Sequence, residues 1–441
     1  MKMIDSILNA GFSEADISPR DSQFLFGYPH VKRYSTGVHD PLLSSAFYVA
    51  NNKTDILLIA NDVIFVPRDV VCSAREKIAK QTGIRAEHIL ISATHTHSAP
   101  MTVDHASNAD DAAVPKTDPA YLRVLEEGIV SAGTGAYKAR SKAEIAFVHA
   151  DSTGVGTNRR DPKNGPAHHD VPVITVRNPD TQKMLGMMLV GSMHPTVLHE
   201  DSTLVTADFP GFARKYLKDR YNGCPIVYHT GPCGNLSPRH VTSENTFKEA
   251  ERLGTIMGSA VDRALAHAEF TDTIALTSAT GWITPVKRIF PSVAEADRHV
   301  KAADQRFGEL KKNGTPQEAR GAEVDMFGAH ETLTLAKAEA SGELDKFRQA
   351  RTPAEVQSVK IGPFFFAAWP CEVFVEYALD LKQADKNAFV ISMANGELQG
   401  YIVTEAAAAE GGYEASNALF APETGKRLVA ESLRLFNICF G

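Results

Sequence analysis

His88-Ile-Leu-Ile-Ser-Ala93 runs without a break into Thr94-His-Thr-His-Ser98. The first half is apolar at nearly every position. A run apolar on both faces is a strand covered from both sides. The second half places imidazoles at i and i+2, which share one side of an extended chain. The segment predicts a buried strand that delivers His95 and His97 to one pocket.

The same construction recurs along the chain. Asp55–Phe65, Ala143–Val148, Val171–Val176, Met184–Ser192, Pro225–Tyr228, Pro363–Trp369 and Ala388–Met393 all read as apolar strands. Met184–Ser192 is followed, after Met193, by His194-Pro195. Pro225–Tyr228 leads into His229 and then Thr230-Gly-Pro-Cys-Gly-Asn-Leu-Ser-Pro238, and Pro363–Trp369 leads into Pro370-Cys371-Glu372. Helical stretches lie between strands at Pro67–Thr82, Pro119–Ala139, Pro210–Tyr221 and Glu244–Glu269. This alternation predicts an α/β fold of buried mixed sheets layered with helices, with its site at the C-terminal ends of strands. Ser292–Gln349, rich in Ala, Glu, Lys and Arg, predicts a helical insertion broken at Asn313-Gly-Thr-Pro316. Its charges repeat on a helical period, which favours solvated packing outside the core over a cap on the site. No linker marks a boundary, so residues 1–441 read as a single domain.

Composition narrows the function. The 441 residues are 43% hydrophobic and 22% charged, as in ordinary globular proteins. Lys and Arg number 46 against 53 Asp and Glu, a net charge of −7 without a basic run, which excludes a phosphate-binding nucleic-acid surface. The longest near-apolar run, Met184–Met193, is too short to span a membrane. The first residues carry Asp5 and no apolar core, so they do not read as a signal peptide. Five cysteines, an odd number without a C-x-x-C pair, fit a reducing cytoplasm and argue against cysteine-based metal or redox chemistry.

The chemistry sits in the loops after the strands. An H-x-H alone is weak, but His95, His194 and Glu372 follow separate strands into polar loops. Imidazoles plus a carboxylate, with one position open, suit catalytic Zn²⁺, and Mn²⁺ or Fe²⁺ share that chemistry. The spacing is not H-E-x-x-H. Asn158-Arg159-Arg160 reads first as a solvated surface turn, with bidentate capture of an anion as the alternative. Asp208 reads as a helix N-cap before Pro210. Tyr401 and Tyr413 read as the edge of the core.

Taken in order, these segments resemble the neutral ceramidase family, zinc amidases that split the N-acyl bond of ceramide. Gly37-Val-His39 with Ala46-Phe47 is similar to the family's G-I-H segment, and Thr94-His-Thr-His-Ser98 to its H-T-H-S-G-P. Asn158-Arg159 matches its N-R loop, Met193-His194-Pro195 resembles H-G-T, and Asp208 to Gly211 resembles D-x-x-G. Gly234-Asn-Leu-Ser-Pro-Arg239 is similar to G-D-V-S-P-N, and Pro370-Cys371-Glu372 to P-G-E. Tyr401 and Tyr413, with Thr404, Glu405, Glu414 and Ala415, resemble Y-x-x-T-x-E and Y-E-G-A. The order holds over about residues 11–425.

The resemblance implies His95, His194, Glu372 and Tyr401 as zinc ligands, and His97, Arg159, Ser237 and Tyr413 as pocket residues. It replaces the core-edge reading of Tyr401. Ser237 is implied as a nucleophile or as a participant beside the metal. The sequence departs from the family at Ala99, Pro195, Asn235, Arg239 and Cys371, and ends where the family's C-terminal immunoglobulin-like domain would begin. The expectation is a zinc-dependent hydrolase of a linear N-acyl amide, acting on ceramide-like lipid or on a smaller soluble substrate. Competing readings are an esterase, lactonase or phosphoesterase on the same scaffold, or a binding homologue without catalysis.

Overall fold

A computed structural model describes residues 8–440, apart from the side chains of residues 316 and 317. The signal-peptide reading, centred on Asp5, lies outside the described residues. Three mixed sheets form the frame. The first runs Ile89–Ala93, Asp55–Asn61, Leu43–Ala50, Asn9–Asp16, Ser141–Lys142. The second runs Ile226–Thr230, Met184–Gly191, Asp170–Arg177, Glu144–Asp151. The third runs Leu276–Ile283, Ala354–Ile361, Phe364–Ala368, Ala388–Ile391.

Each sheet is antiparallel except for one parallel pair at an edge: Asp55–Asn61 with Ile89–Ala93, Met184–Gly191 with Ile226–Thr230, and Phe364–Ala368 with Ala388–Ile391. The three parallel edges meet one another. Ala93 N donates to Met393 O at 3.1 Å, Ser392 N to Thr230 O at 2.8 Å, and the Thr230 hydroxyl to Thr94 O at 2.5 Å. An exposed strand edge leaves backbone groups unpaired. Here the edges satisfy each other, and their C-terminal ends are brought to one place.

The inner faces of the sheets share one apolar core: Phe47, Leu58 and Leu90 from the first, Ile174, Met188 and Val227 from the second, Val359, Phe366 and Phe389 from the third. Each outer face carries two helices. Arg68–Thr82 and Pro119–Lys138 cover the first sheet, Asp208–Arg220 and Phe247–Leu265 the second, Val375–Lys382 and Glu423–Phe440 the third. Burial from both sides explains why Ile89–Ala93 and Phe364–Ala368 are apolar throughout.

The insertion forms helices Val293–Asn313, Pro316–Ala340 and Glu343–Ala350. Its placement differs from the solvated packing expected. Gly321, Val324 and Phe327 of the middle helix line the main cavity, and buried Glu331 accepts from Asn108 Nδ2 at 3.2 Å and from Asn417 Nδ2. The middle helix therefore roofs the cavity. Its charges face both ways, and a helical period alone does not say which face meets the protein.

Candidate metal centre

Each sheet sends one side chain to the meeting point. His95 follows Ile89–Ala93, His194 follows Met184–Gly191, and Glu372 follows Phe364–Ala368. Nitrogens of His95, His97 and His194 lie within 4.8 Å of one another. Glu372 Oε2 lies 3.1 Å from His95 Nε2 and 3.2 Å from His194 Nε2. Tyr401 comes by a different route. Cys371–Val373 pairs in parallel with Leu398–Ile402, and a register shift at Cys371/Glu372 sets Glu372 opposite Tyr401.

His95 and His97 face one point, but not because the strand continues. The strand ends at Ala93, and His95 adopts φ +68°, a left-handed conformation rare for a side-chain-bearing residue. Such strain concentrates at functional sites.

The donor chemistry fits a divalent cation. His95 Nδ1 meets Ile64 O at 2.8 Å, His97 Nδ1 meets Gly27 O at 3.0 Å, and His194 Nδ1 meets Cys233 O at 2.6 Å. A carbonyl only accepts, so each Nδ1 carries a proton and each ring turns its Nε2 inward. His95 Nε2 and His97 Nε2 are buried without a hydrogen-bond partner. Inward-facing nitrogens of His95 and His194 about 3 Å from one carboxylate oxygen call for a positive charge among them, a proton or a cation. Latching the outer nitrogen to a carbonyl is also how proteins orient metal-binding histidines. Burial pulls His194 down to about 4, aided by Arg159. Burial and the two other imidazoles hold His97 well below its ordinary range. For Glu372, burial opposes ionisation, but His95 and His194 outweigh it and keep the carboxyl well below the usual range. Burial, then Glu372, pushes the Tyr401 phenol up, so it stays protonated in the absence of a cation.

A cavity of about 750 Å³ opens over this point and is lined by His97, Arg159, Ser237, Tyr401 and Tyr413. Ser237 lies on the short strand Leu236–Ser237, opposite Thr157, and its hydroxyl accepts from Arg239 N at 3.0 Å. No imidazole or carboxylate bonds that hydroxyl among the described residues. The Tyr413 ring centroid lies 6.1 Å from that of Tyr401.

The Asn158-Arg159-Arg160 turn is not solvated. Arg159 Nε lies 2.8 Å from Glu414 Oε1, and its terminal nitrogen donates to Gly234 O at 2.7 Å. Burial opposes its charge, but Tyr401 and Glu414 outweigh this and raise its pKa. Arg160 Nη1 pairs with the other oxygen of Glu414 at 2.9 Å. Most of the Arg159 fork is thus engaged by the protein, so bidentate capture of an anion there does not hold. Asp208 is not the N-cap either: it is the first residue of its helix, at φ +57°, with Ala207 before it as the cap. Its buried carboxylate accepts from Val197 N at 2.9 Å and Leu198 N at 3.0 Å, which fixes the loop after His194.

Sequence reasoning missed Glu414, Gly27 and Tyr28 as parts of the site. Tyr28 packs its ring edge-on to His97, with centroids 5.6 Å apart. Glu414 adjoins Tyr413, a usable signal. Gly27 acts through its carbonyl and its lack of a side chain, neither of which leaves a pattern.

Residues 8–230 match the family model for neutral/alkaline non-lysosomal ceramidase, N-terminal. The chain belongs to this family. His95, His97, Arg159 and His194 fall within the matched residues; Ser237, Glu372, Tyr401 and Tyr413 lie beyond them. The structure is similar to that of neutral ceramidase from Pseudomonas aeruginosa, with a TM-score of 0.73 at 16% identity over 97% of this chain and 74% of that one. It is similar to a ceramidase complexed with C2 at a TM-score of 0.74 and 15% identity, with the same coverage. No curated protein sequence matches. Membership makes the chain a ceramidase-type hydrolase, and its histidine cluster could hold a metal. Among the described residues, no helix is long and apolar enough to cross a membrane. All five cysteines are free.

Proposed function

We propose that this protein is a zinc-dependent hydrolase of linear N-acyl amides, with His95, His194, Glu372 and Tyr401 as ligands, His97, Ser237 and Tyr413 as the groups that handle substrate, and Arg159 as the cavity residue that positions Tyr413. The observation that carries the reading is the set of carbonyl-latched imidazoles whose inner nitrogens cluster beside one carboxylate. We read residues 1–441 as one hydrolytic unit, because the proposed ligands come from all three sheets. A divalent cation at this point supplies a water acidified toward neutral pH and a Lewis acid for the carbonyl.

The chain's own groups do the rest. His97 lines the cavity with Nε2 unpartnered, so it can take a proton at that atom and return it to the departing nitrogen. Amide cleavage needs that return, since an unprotonated amine leaves poorly. The Tyr413 hydroxyl has no protein partner among the described residues and can donate to the developing oxyanion. Arg159 holds Glu414, and through it the segment that carries Tyr413. Ser237 can donate to substrate while its oxygen accepts from Arg239 N. We do not assign it as a nucleophile, because no base accompanies it. The cavity wall carries arginines and acids at Arg160, Arg239, Glu200 and Asp325, which suits a substrate smaller and more soluble than ceramide.

The test pairs elemental analysis with turnover. The zinc-loaded protein should release amine from short N-acyl amides faster than it cleaves aryl esters or phosphate monoesters. His95→Ala combined with His194→Ala should lose both metal and activity. Zinc retained at full stoichiometry in that double variant would falsify the ligand assignment.

A further inference from the structure

We propose that Arg239 forms an anion-binding position in the cavity wall and that the substrate carries a negatively charged group beside its scissile amide. This names the substrate class of the site proposed above and rests on that reading. Three of the four cavity arginines are neutralised by the protein. Arg159 pairs with Glu414 at 2.8 Å, Arg160 with Glu410 and Glu414 at 2.8 and 2.9 Å, and Arg320 with Glu200 and Glu323 at 2.9 and 2.7 Å. The Arg239 guanidinium has no ion pair and no hydrogen bond among the described residues. It follows Ser237 by two positions in the turn Pro238–His240, which Ser237 caps. Its side chain lines the cavity and stands exposed to solvent there.

The charges around Arg239 sharpen the point. Partial desolvation, then Arg159 and Arg320, lower its basicity, and Glu414 acts in the other direction. A guanidinium stays charged under such pressure, so the wall keeps an unanswered positive charge. The remaining cavity acids do not answer it. Asp325 pairs with Arg306 at 2.7 Å, and Asp201 forms no ion pair with Arg239 among the described residues. Five N–H donors in a planar fork match a carboxylate or a phosphate. Both share the chemistry inferred here, and the experiment separates them.

Binding is measured by calorimetry on the zinc-loaded protein with three uncleavable probes of one chain length: 3-(hexyloxy)propanoate, the corresponding propyl phosphate, and the neutral 3-(hexyloxy)propanol. Wild type should bind one of the anions about tenfold more tightly than the alcohol. The tighter anion identifies the group. Arg239→Gln should abolish the difference while leaving the melting temperature unchanged, because the side chain bonds nothing in the fold. Arg239→Lys should keep part of it. Equal binding of all three probes, or a preference that survives Arg239→Gln, overturns the inference. A parallel assay compares N-hexanoylglycine with N-hexanoylethanolamine. An anion preference lost in Arg239→Gln without turnover of either amide supports the anion position and rejects the amidase reading. Turnover of both at equal rates in wild type and Arg239→Gln leaves the amidase and overturns the anion position.

Discussion

His97 depends on a residue that contributes no side chain. Gly27 sits at φ +147°, and a Cβ there would fall 2.5 Å from His97 Cβ, while its carbonyl holds His97 Nδ1. Gly27→Ala should displace the ring by a fraction of an ångström or more. The expected result is a loss of about a hundredfold in kcat with zinc content unchanged, measured by steady-state kinetics and metal analysis. Asn235 makes a second case. Its Oδ1 accepts from Val375 N at 2.9 Å and its Nδ2 donates to Glu376 at 2.8 Å. Asn235→Asp, toward the family's own residue, removes the donor and sets two carboxylates together. Urea unfolding should show a loss of about 1–3 kcal/mol, and an unchanged midpoint would refute this account. Imidazoles, acids and tyrosines could be found in the sequence because their chemistry is written in their identity. The carbonyl latches of Ile64, Gly27 and Cys233 could not, because every residue has that group.

At the level of elements, the helix Pro316–Ala340 is pinned through Glu331, which serves both Asn108 and Asn417. Glu331→Gln turns one acceptor into a donor that faces an amide NH₂. The roof should loosen: amide exchange in residues 316–340 should quicken, and KM should rise about fivefold with a smaller change in kcat. A KM equal to wild type alongside faster exchange would separate the roof from substrate binding. The strands at Ile89–Ala93, Asp170–Arg177, Met184–Gly191 and Phe364–Ala368 were legible because burial on both faces leaves continuous apolar runs. Ala354–Ile361 was not, since Glu355 and Gln357 interrupt its pattern. These polar groups are buried but satisfied by Arg75, at 2.9 Å from Glu355 and 3.3 Å from Gln357. A partner from far along the chain hides the strand from local reading.

Across the whole molecule, acid should unfold this protein partly through histidines that ligate nothing. Burial brings His168 down to about 4 and His229 to about 3. The unfolded chain holds these protons near pH 6.5, so it binds more protons than the fold does. Their contribution is fully present above pH 6.5 and is lost as pH falls toward 4 and 3. The urea midpoint should therefore fall from pH 7 to pH 4.5. His168→Asn, which retains a partner for Ser192, should flatten that slope, and an identical slope would exclude His168 as a source. The threefold repetition of a mixed sheet backed by two helices is invisible in the sequence, because similar sheets can be built from unrelated apolar residues. The carbonyl latches have a larger consequence. Rings locked by the polypeptide itself wait, already aimed, for whatever ion arrives, so the ion is a guest rather than a scaffold. Dialysis against a chelator should leave the circular dichroism intact, and cobalt added afterwards should enter the same seat and colour the solution without any refolding delay.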